Sequence, residues 1–367
     1  MLPALMDFCK KKYILFRPKK YRCQDLNSAL YGILSLNPPI FYVAHWMDEE
    51  FIFLYSLDML FDSLRNKKTY FLYLWYWYIE DLQRIEMVKE FEKRHNRKYS
   101  NHSFIHLCNT IRQTQAFKEK GLHSVFCNPN AMVDENIFKP VPSVAKIYDA
   151  IYDARLKSYK RHFLAKNIES LALIYDFIPY IDDIDYVNQM RQEFTHARFF
   201  NHSDTLYYTH LTPSEVNQCL NACKVGLCLS RVEGSMYSSV QYLLSGLPVV
   251  STRSLGGRDV FFDREYVLIV EDEEEAVRRG VKELIEKRIP AQRIRHKTLE
   301  KMRDHRLRLI SLVQEIYRQE GVKRDFASEW NEVFFNKLLK WQSHEDTMKL
   351  VNRGFPCVQA YPTWMKM

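Results

Sequence analysis

Glycine is scarce in this chain: 10 of 367 residues. That argues against loop-rich and low-complexity architectures. No apolar run reaches the ~20 residues that a membrane-spanning helix requires. The longest, Thr69 to Ile79 (TYFLYLWYWYI), stops well short. The start, MLPALMDFCKKKY, places its charges after its apolar residues, the reverse of a secretory leader, so a cytoplasmic protein is expected. The 8 cysteines include no CxxC pair. Cys219 and Cys223 share a helical stretch and Cys228 lies in the next strand, but no His or Cys pairs at metal-ligand spacing accompany them. Buried, reduced thiols and no metal are expected. A concentrated basic stripe and a nucleic-acid-binding motif are also missing, so no nucleic-acid partner is expected.

Charge is biased without being extreme. Lys and Arg total 53 against 45 Asp and Glu, a net charge of +8, which suits an anionic partner such as a nucleotide diphosphate or an anionic lipid surface. The densest basic cluster, Lys10 to Arg22 (KKKYILFRPKKYR), is interleaved with aromatics. It reads first as a solvated edge and second as a peripheral membrane contact.

The length fits two domains of roughly 150–200 residues each, and a hydrophobic share of 47% supplies their cores. Pro39 to Trp46, Lys68 to Ile79, Ser103 to Cys108 and Val125 to Cys127 read as strands. Phe51 to Leu64, Asp81 to His95 and Thr110 to Lys120 read as helices, with Asp81 as an N-cap and Gly121 as a stop. Phe138 to Pro142 is extended and proline-rich, and the domain boundary is placed there, giving 1–142 and 143–290. Lys146 to Tyr152, Leu171 to Ile178, Ala197 to Phe200, Val225 to Leu229, Pro248 to Ser251 and Tyr266 to Val270 are strands in the second half. Between them lie the helices His162 to Ser170, Asp183 to Phe194, Thr212 to Cys223 and Ser238 to Ser245, and Glu271 onward is helical. The Thr212 start is close to a capping box. Such alternation predicts an α/β fold with parallel sheets covered on both faces. From Ala291 the pattern is helical and charged, a C-terminal helical segment over 291–367.

Open parallel sheets bind ligands at the carboxyl ends of their strands, and three loops of the second half lie there. Asp153 to Arg161 carries Arg155 and Lys160 around one strand-to-helix turn. A helix N-terminus with a guanidinium and an ammonium suits a diphosphate, the lysine standing solvated until a ligand arrives. Glu233-Gly234-Ser235-Met236 places one carboxylate, able to accept sugar hydroxyls, beside backbone amides able to face an anion. Gln241, on the helix that follows and that Gly246 ends, could reach the same mouth. Ser254 to Asp259 holds Gly256 and Gly257 next to Arg258, a flexible anion-contacting loop. Each loop also has a plain structural reading as a basic surface loop or a turn.

Taken in this order, the three loops resemble the donor-binding domain of retaining glycosyltransferases of the GT-B fold, family 4 (glycosyl transferases group 1). The family's Arg-Leu…Lys loop is met at Arg155-Leu156 and Lys160. Its E-x7-E segment, ending in a helix and Gly-Leu-Pro-Val-Val, is met from Glu233 to Val250, with Gln241 at the second acidic position. Its Gly-Gly loop is met at Gly256 and Gly257. The stretch Cys127 to Pro140, with Asn130, Asp134, Phe138 and Pro140, is similar to the family's interdomain segment. The resemblance implies two Rossmann-like domains facing a cleft, a short acceptor domain, a nucleotide diphosphate sugar as donor, and transfer without metal or cofactor. It implies a glycan or lipid-linked acceptor. Arg155 and Lys160 would neutralise the leaving diphosphate. Glu233 would hold the donor sugar, with Gly234, Ser235, Met236, Tyr237, Gln241, Gly256 and Gly257 lining the donor site. In the family the residue at 241 is a Glu that grips the ribose diol; an amide there bonds without charge assistance. The family's Gly-rich loop near the N-terminus is missing. Tyr76, Trp77, Tyr78 and Glu80 stand where many members carry a cleft-facing His, and His45 is the nearest substitute. A degenerate protein that binds nucleotide or glycan without catalysis is the second reading, and a nucleotide-sugar epimerase the third.

Overall fold

Continuous aromatic and apolar runs build the first sheet. The computed structural model of the chain describes residues 28–47, 52–53, 57–177, 184–203 and 207–353, without the side chains of 45–47, 52–53 and 207. The basic stretch Lys10 to Arg22 lies outside these residues. Four parallel strands follow one another across the sheet: Pro39–Met47, Thr69–Trp75, His102–Cys108 and Ser124–Phe126. Thr69–Trp75 is buried at every position, which is why it reads as an unbroken run and not as an alternation. Two antiparallel strands that the pattern did not predict extend the Pro39 edge, first Ser28–Leu36 and then Lys340–Ser343. The connecting helices start at the expected caps. Asp81 accepts from the Arg84 amide at 2.9 Å ahead of Leu82–Lys98, and Thr110 from the Gln113 amide at 2.9 Å ahead of Ile111–Glu119.

Both faces of this sheet need a cover, and residues from the end of the chain supply much of it. Tyr31, Ile33, Phe41, Val43, Phe71 and Tyr73 pack on the helix Asp58–Ser63 and on Leu350 and Val351 of the helix His344–Asn352. There the Tyr31 hydroxyl and Thr347 Oγ1 lie 2.7 Å apart. Residues of the other parity, Tyr42, Tyr70, Leu72 and Leu74, are buried too. Tyr70 donates to Glu320 at 2.6 Å, just past the long helix Ala291–Gln319, and His305 of that helix accepts from the Asn128 amide at 3.1 Å.

The chain accordingly divides into two compact units. One joins the described residues up to Met132 to those from Arg303 onward; the other is Val133–Met302. The boundary falls at Val133, ahead of the expected 142, and the segment 291–367 does not stand apart: the long helix begins in one unit and ends in the other, and the residues after it finish the first sheet. A helical period says which face of a helix is apolar, but not which sheet it will cover.

The second unit is a six-stranded, wholly parallel sheet. In chain order its strands are Tyr148–Asp153, Leu171–Ile174, Arg198–Phe199, Cys223–Cys228, Val249–Thr252 and Val267–Val270. In the sheet they stand 3-2-1-4-5-6, the doubly wound Rossmann order. The helices Ile184–Glu193, Pro213–Asn221, Tyr237–Leu244 and Glu274–Lys287 connect and cover them. The capping box expected at Thr212 forms with Glu215. Gly246 ends Tyr237–Leu244 at a φ of 76°, with Leu247 N–H to Tyr242 O at 2.9 Å and Gly246 N–H to Leu243 O at 3.0 Å, a Schellman closure. Among the described residues no helix is long and apolar enough to cross a membrane.

Two tests follow. Gly226, in the fourth strand, lies under Tyr242, and a Cβ there would lie 2.5 Å from two ring carbons. Gly226→Ala should therefore cost about 1–3 kcal/mol in urea or thermal unfolding; wild-type stability would mean that the helix shifts freely. In the first unit, His95 Nε2 lies 2.9 Å from His102 Nδ1, within a cage of Phe61, Tyr99 and Phe104. Burial, then the neighbouring His102 and Lys98, push His95 from its ordinary 6.5 down to about 3. The unfolded chain takes up this proton first, so stability should fall steadily as pH drops through the interval from 6.5 to about 3. Melting temperatures between pH 7.5 and 4.5 should decline, and His95→Phe should flatten the slope.

Candidate functional site

The first and fourth strands of the second unit lie side by side, pairing Ala150 with Val225 and Ile151 with Gly226. Their onward connections lead to opposite halves of the sheet. Their carboxyl ends are therefore the topological switch point of the sheet, the place at which ligands of doubly wound sheets bind. The loops carrying Arg155, Lys160 and Glu233 leave from these two ends.

The loop after the first strand differs from expectation. In place of a helix over His162 to Ser170, two short 3-10 turns form, Ser158–Lys160 and His162–Ala165. Between them Arg161 sits in the left-handed region, at φ 56° and ψ 47°. The i to i+3 bonds Lys160 N–H to Lys157 O and Arg161 N–H to Ser158 O, both 3.0 Å, close the first turn. No α-helix therefore starts in the loop that carries Arg155 and Lys160.

Lys160 is also not solvated. It is 8% exposed, and its ammonium donates to Oε1 of Glu233, itself 4% exposed. The ammonium lies 5.2 Å from the centroid of the Tyr159 ring, and the Tyr152 hydroxyl fixes the loop by donating to Lys160 O at 2.7 Å. His162, two residues on, is pushed down to about 3 by burial and then by Lys160, so it adds no charge. Arg155 lies half-buried earlier on the loop.

Glu233 is held by the glycine loop. Val232–Glu233 and Leu255–Gly256 form a two-residue parallel ladder, Glu233 opposite Gly256, and Gly257 N–H donates to Gly234 O at 2.9 Å. The structure therefore brings together Lys160, Glu233, Gly234, Gly256 and Gly257. The helix Tyr237–Leu244 starts at Met236 with no side-chain cap among the described residues, and the buried Ser235 hydroxyl beside it has no partner among them. Two bonds tie this helix to the first strand: Ser238 Oγ to Asp153 O at 2.8 Å, and Asp153 N–H to the Tyr242 hydroxyl at 2.6 Å. Gln241, on the same helix, is 6% exposed.

Arg258 is not the anion contact its neighbouring glycines suggested. It is fully buried, and its guanidinium donates to Ser230 O at 2.6 Å, Cys228 O at 3.1 Å, Ser251 Oγ at 2.7 Å, Thr252 O at 2.6 Å and Asp259 at 2.6 Å. It thereby satisfies the carbonyl ends of the fourth and fifth strands. Arg161 does similar work, donating to Leu229 O at 2.7 Å and Thr252 Oγ1 at 2.6 Å and pairing with Asp272 at 2.6 Å. The sequence reading missed both roles, because buried and exposed arginines look alike in a basic loop. His45 belongs to the first unit, where it pairs in register with Trp75, and its side chain lies outside the described residues.

Five described cysteines are free, four of them buried, and burial pushes Cys219 up to about 11 and Cys127 and Cys228 to about 12. Among the described residues no group of three or more His, Cys, Asp and Glu could hold a metal ion.

No family model matches this chain, and no curated protein does. Solved structures do. HepE of Anabaena, in complex with UDP, is 15% identical, with 72% of this chain and 82% of that one covered at a TM-score of 0.50. Sucrose-phosphate synthase from Thermosynechococcus elongatus is 12% identical, covering 76% of this chain and 74% of that one at 0.53. The fold is of the GT-B type. Identities this low carry the architecture, two Rossmann-like domains, and nothing finer.

The ion pair sets a test. Lys160→Ala would leave the Glu233 carboxylate buried without its partner, a loss of about 3–5 kcal/mol. Lys160→Met with Glu233→Gln removes both charges and should regain much of that loss in chemical denaturation. Equal stability of the single variant and the wild type would mean that the pair is not buried in solution.

Proposed function

We propose that the chain is a glycosyltransferase that moves a sugar from a nucleotide diphosphate sugar to a glycan or lipid-linked acceptor, with retention and without a metal ion. The observation that carries this reading is the Lys160–Glu233 pair, a buried cation and a buried carboxylate side by side at the switch point of a Rossmann sheet. A donor of this class offers one partner to each: phosphate oxygens for the ammonium, sugar hydroxyls for the carboxylate. Arg155 on the same loop would share the diphosphate, and developing charge on the leaving group is what such cations stabilise. The amides around Gly234 and the uncapped start of Tyr237–Leu244 would add neutral donors. Gln241, on the helix that follows Glu233, would meet the nucleoside. That HepE, a fold neighbour, is crystallised with UDP is in keeping with this reading.

The lysine need not start in solvent. Glu233 holds the ammonium until a donor arrives, and the exchange of partners then takes place within the site. A peripheral contact with an anionic membrane would suit the basic start and a lipid-linked acceptor.

Calorimetric titration with UDP, GDP and ADP, followed by a panel of nucleotide sugars read by thermal shift and product formation, tests the proposal. One nucleotide should bind, its sugar form should be turned over, and Arg155→Ala should weaken nucleotide binding about tenfold, the scale of one charged hydrogen bond. Binding of a nucleotide with no turnover of any donor would instead assign nucleotide binding without transfer. Binding of none would overturn both.

A further inference from the structure

Arg161 answers to none of the motifs that point to this site. It is a non-glycine residue in the left-handed region, φ 56°, an uncommon conformation outside glycine. It is 8% exposed. Its Nε donates to Leu229 O at 2.7 Å, its Nη2 to that same carbonyl and to Thr252 Oγ1 at 2.6 Å, and its Nη1 pairs with Asp272 Oδ2 at 2.6 Å. Leu229 follows the fourth strand, Thr252 ends the fifth and Asp272 lies just past the sixth. One side chain from the loop after the first strand thus ties down the carboxyl ends of three others. Asp272 also takes Arg231 at 2.8 Å, two residues ahead of Glu233, so both sides of the ion pair are anchored to the same carboxylate.

We propose that Arg161 is a positioning residue that clamps the Lys160 backbone to these strand ends, so that the Lys160 ammonium can pass from Glu233 to a bound diphosphate while the loop stays in place. The proposal rests on the donor-binding reading above. Two features make a clamp necessary. The loop has only two short 3-10 turns where a helix would otherwise hold it. The left-handed turn at Arg161 costs conformational energy, and bonds of the side chain offset it. The guanidinium donors face protein acceptors, so Arg161 acts through Lys160 and not on the ligand. Asp272 is held below the usual carboxylate range, first by Arg161 and then, against burial, by Arg231, so the clamp stays charged at neutral pH.

Arg161→Gly separates the two roles of the residue, because glycine accepts the left-handed backbone and lacks the guanidinium. Amide hydrogen exchange is measured without ligand, and UDP affinity by calorimetry. In Arg161→Gly the amides from Lys160 to Leu164 should exchange about tenfold faster. UDP should bind about tenfold more weakly, and millimolar guanidinium should restore part of that affinity in the variant alone. Arg161→Lys keeps the charge but not the planar fork and should fall between; it carries the comparison if the glycine variant does not fold. Unchanged exchange in these variants overturns the clamp, whether UDP affinity is kept or lost; in the second case Arg161 would be touching the ligand itself. If wild type binds no nucleotide, the functional reading fails while the exchange measurement still decides the clamp.

Discussion

A buried ammonium is tolerable only against a buried carboxylate, and at the centre of the second unit Lys160 and Glu233 supply this for each other. The desolvation cost of such a pair is of the same order as its Coulomb attraction, so it adds little net stability. What it does add is a constraint. The loop after the first strand and the turn after the fourth must stay within hydrogen-bond reach of one another, and most of the local structure works to that end. Glu233 is pinned through its ladder with Leu255–Gly256, and Lys160 through the Tyr152 hydroxyl at its carbonyl. Tyr242 joins the following helix to the first strand at Asp153, and the glycine at 226 in the fourth strand leaves room for that ring.

The same region has a second difficulty. Parallel strands that end together leave their last carbonyls short of partners. Arg258 and Arg161 resolve this from within. Their planar, permanently charged forks satisfy carbonyls at the ends of the fourth and fifth strands, and neighbouring carboxylates, Asp259 and Asp272, balance their charge. These two cations cannot also serve a ligand. On the proposed function, the cations offered to a ligand are Lys160 and Arg155, Lys160 by exchange of partners.

Much of this was legible in the sequence where one residue decides a local outcome. Asp81, Thr110 and Thr212 are caps because a short polar side chain before an apolar period has few other uses, and Gly246 ends its helix because few residues accept its φ. The βα alternation gave the sheets. Pairings set by long-range contact were hidden. Nothing in Ser28–Leu36 or Lys340–Ser343 announces that they pair with each other, since register between segments some three hundred residues apart leaves no local pattern. The loop at Lys160 was misread for a related reason. Its spacing is compatible with a helix, but packing of Tyr152, His162 and Arg161 beneath it selects 3-10 turns. Burial of a charge depends on its partner, and Glu233 is far from Lys160 in the chain.

The glutamine at 241 has a physical account in the same terms. At 6% exposure a glutamate there would be a further buried anion, and its desolvation would have to be offset before any ligand arrived. Glu233 already meets the ammonium of Lys160, while Arg161 and Arg258 are matched to Asp272 and Asp259. A neutral amide asks for less: it can donate as well as accept, and it leaves the charge balance of the site unchanged. On the proposed function, the ligand must then make good what it disrupts. A nucleotide alone replaces Glu233 at Lys160 but leaves the carboxylate buried and unmatched. A nucleotide sugar satisfies both, because its hydroxyls reach the carboxylate as its phosphates reach the ammonium. The Lys160–Glu233 pair would thus favour the whole donor over its nucleotide fragment.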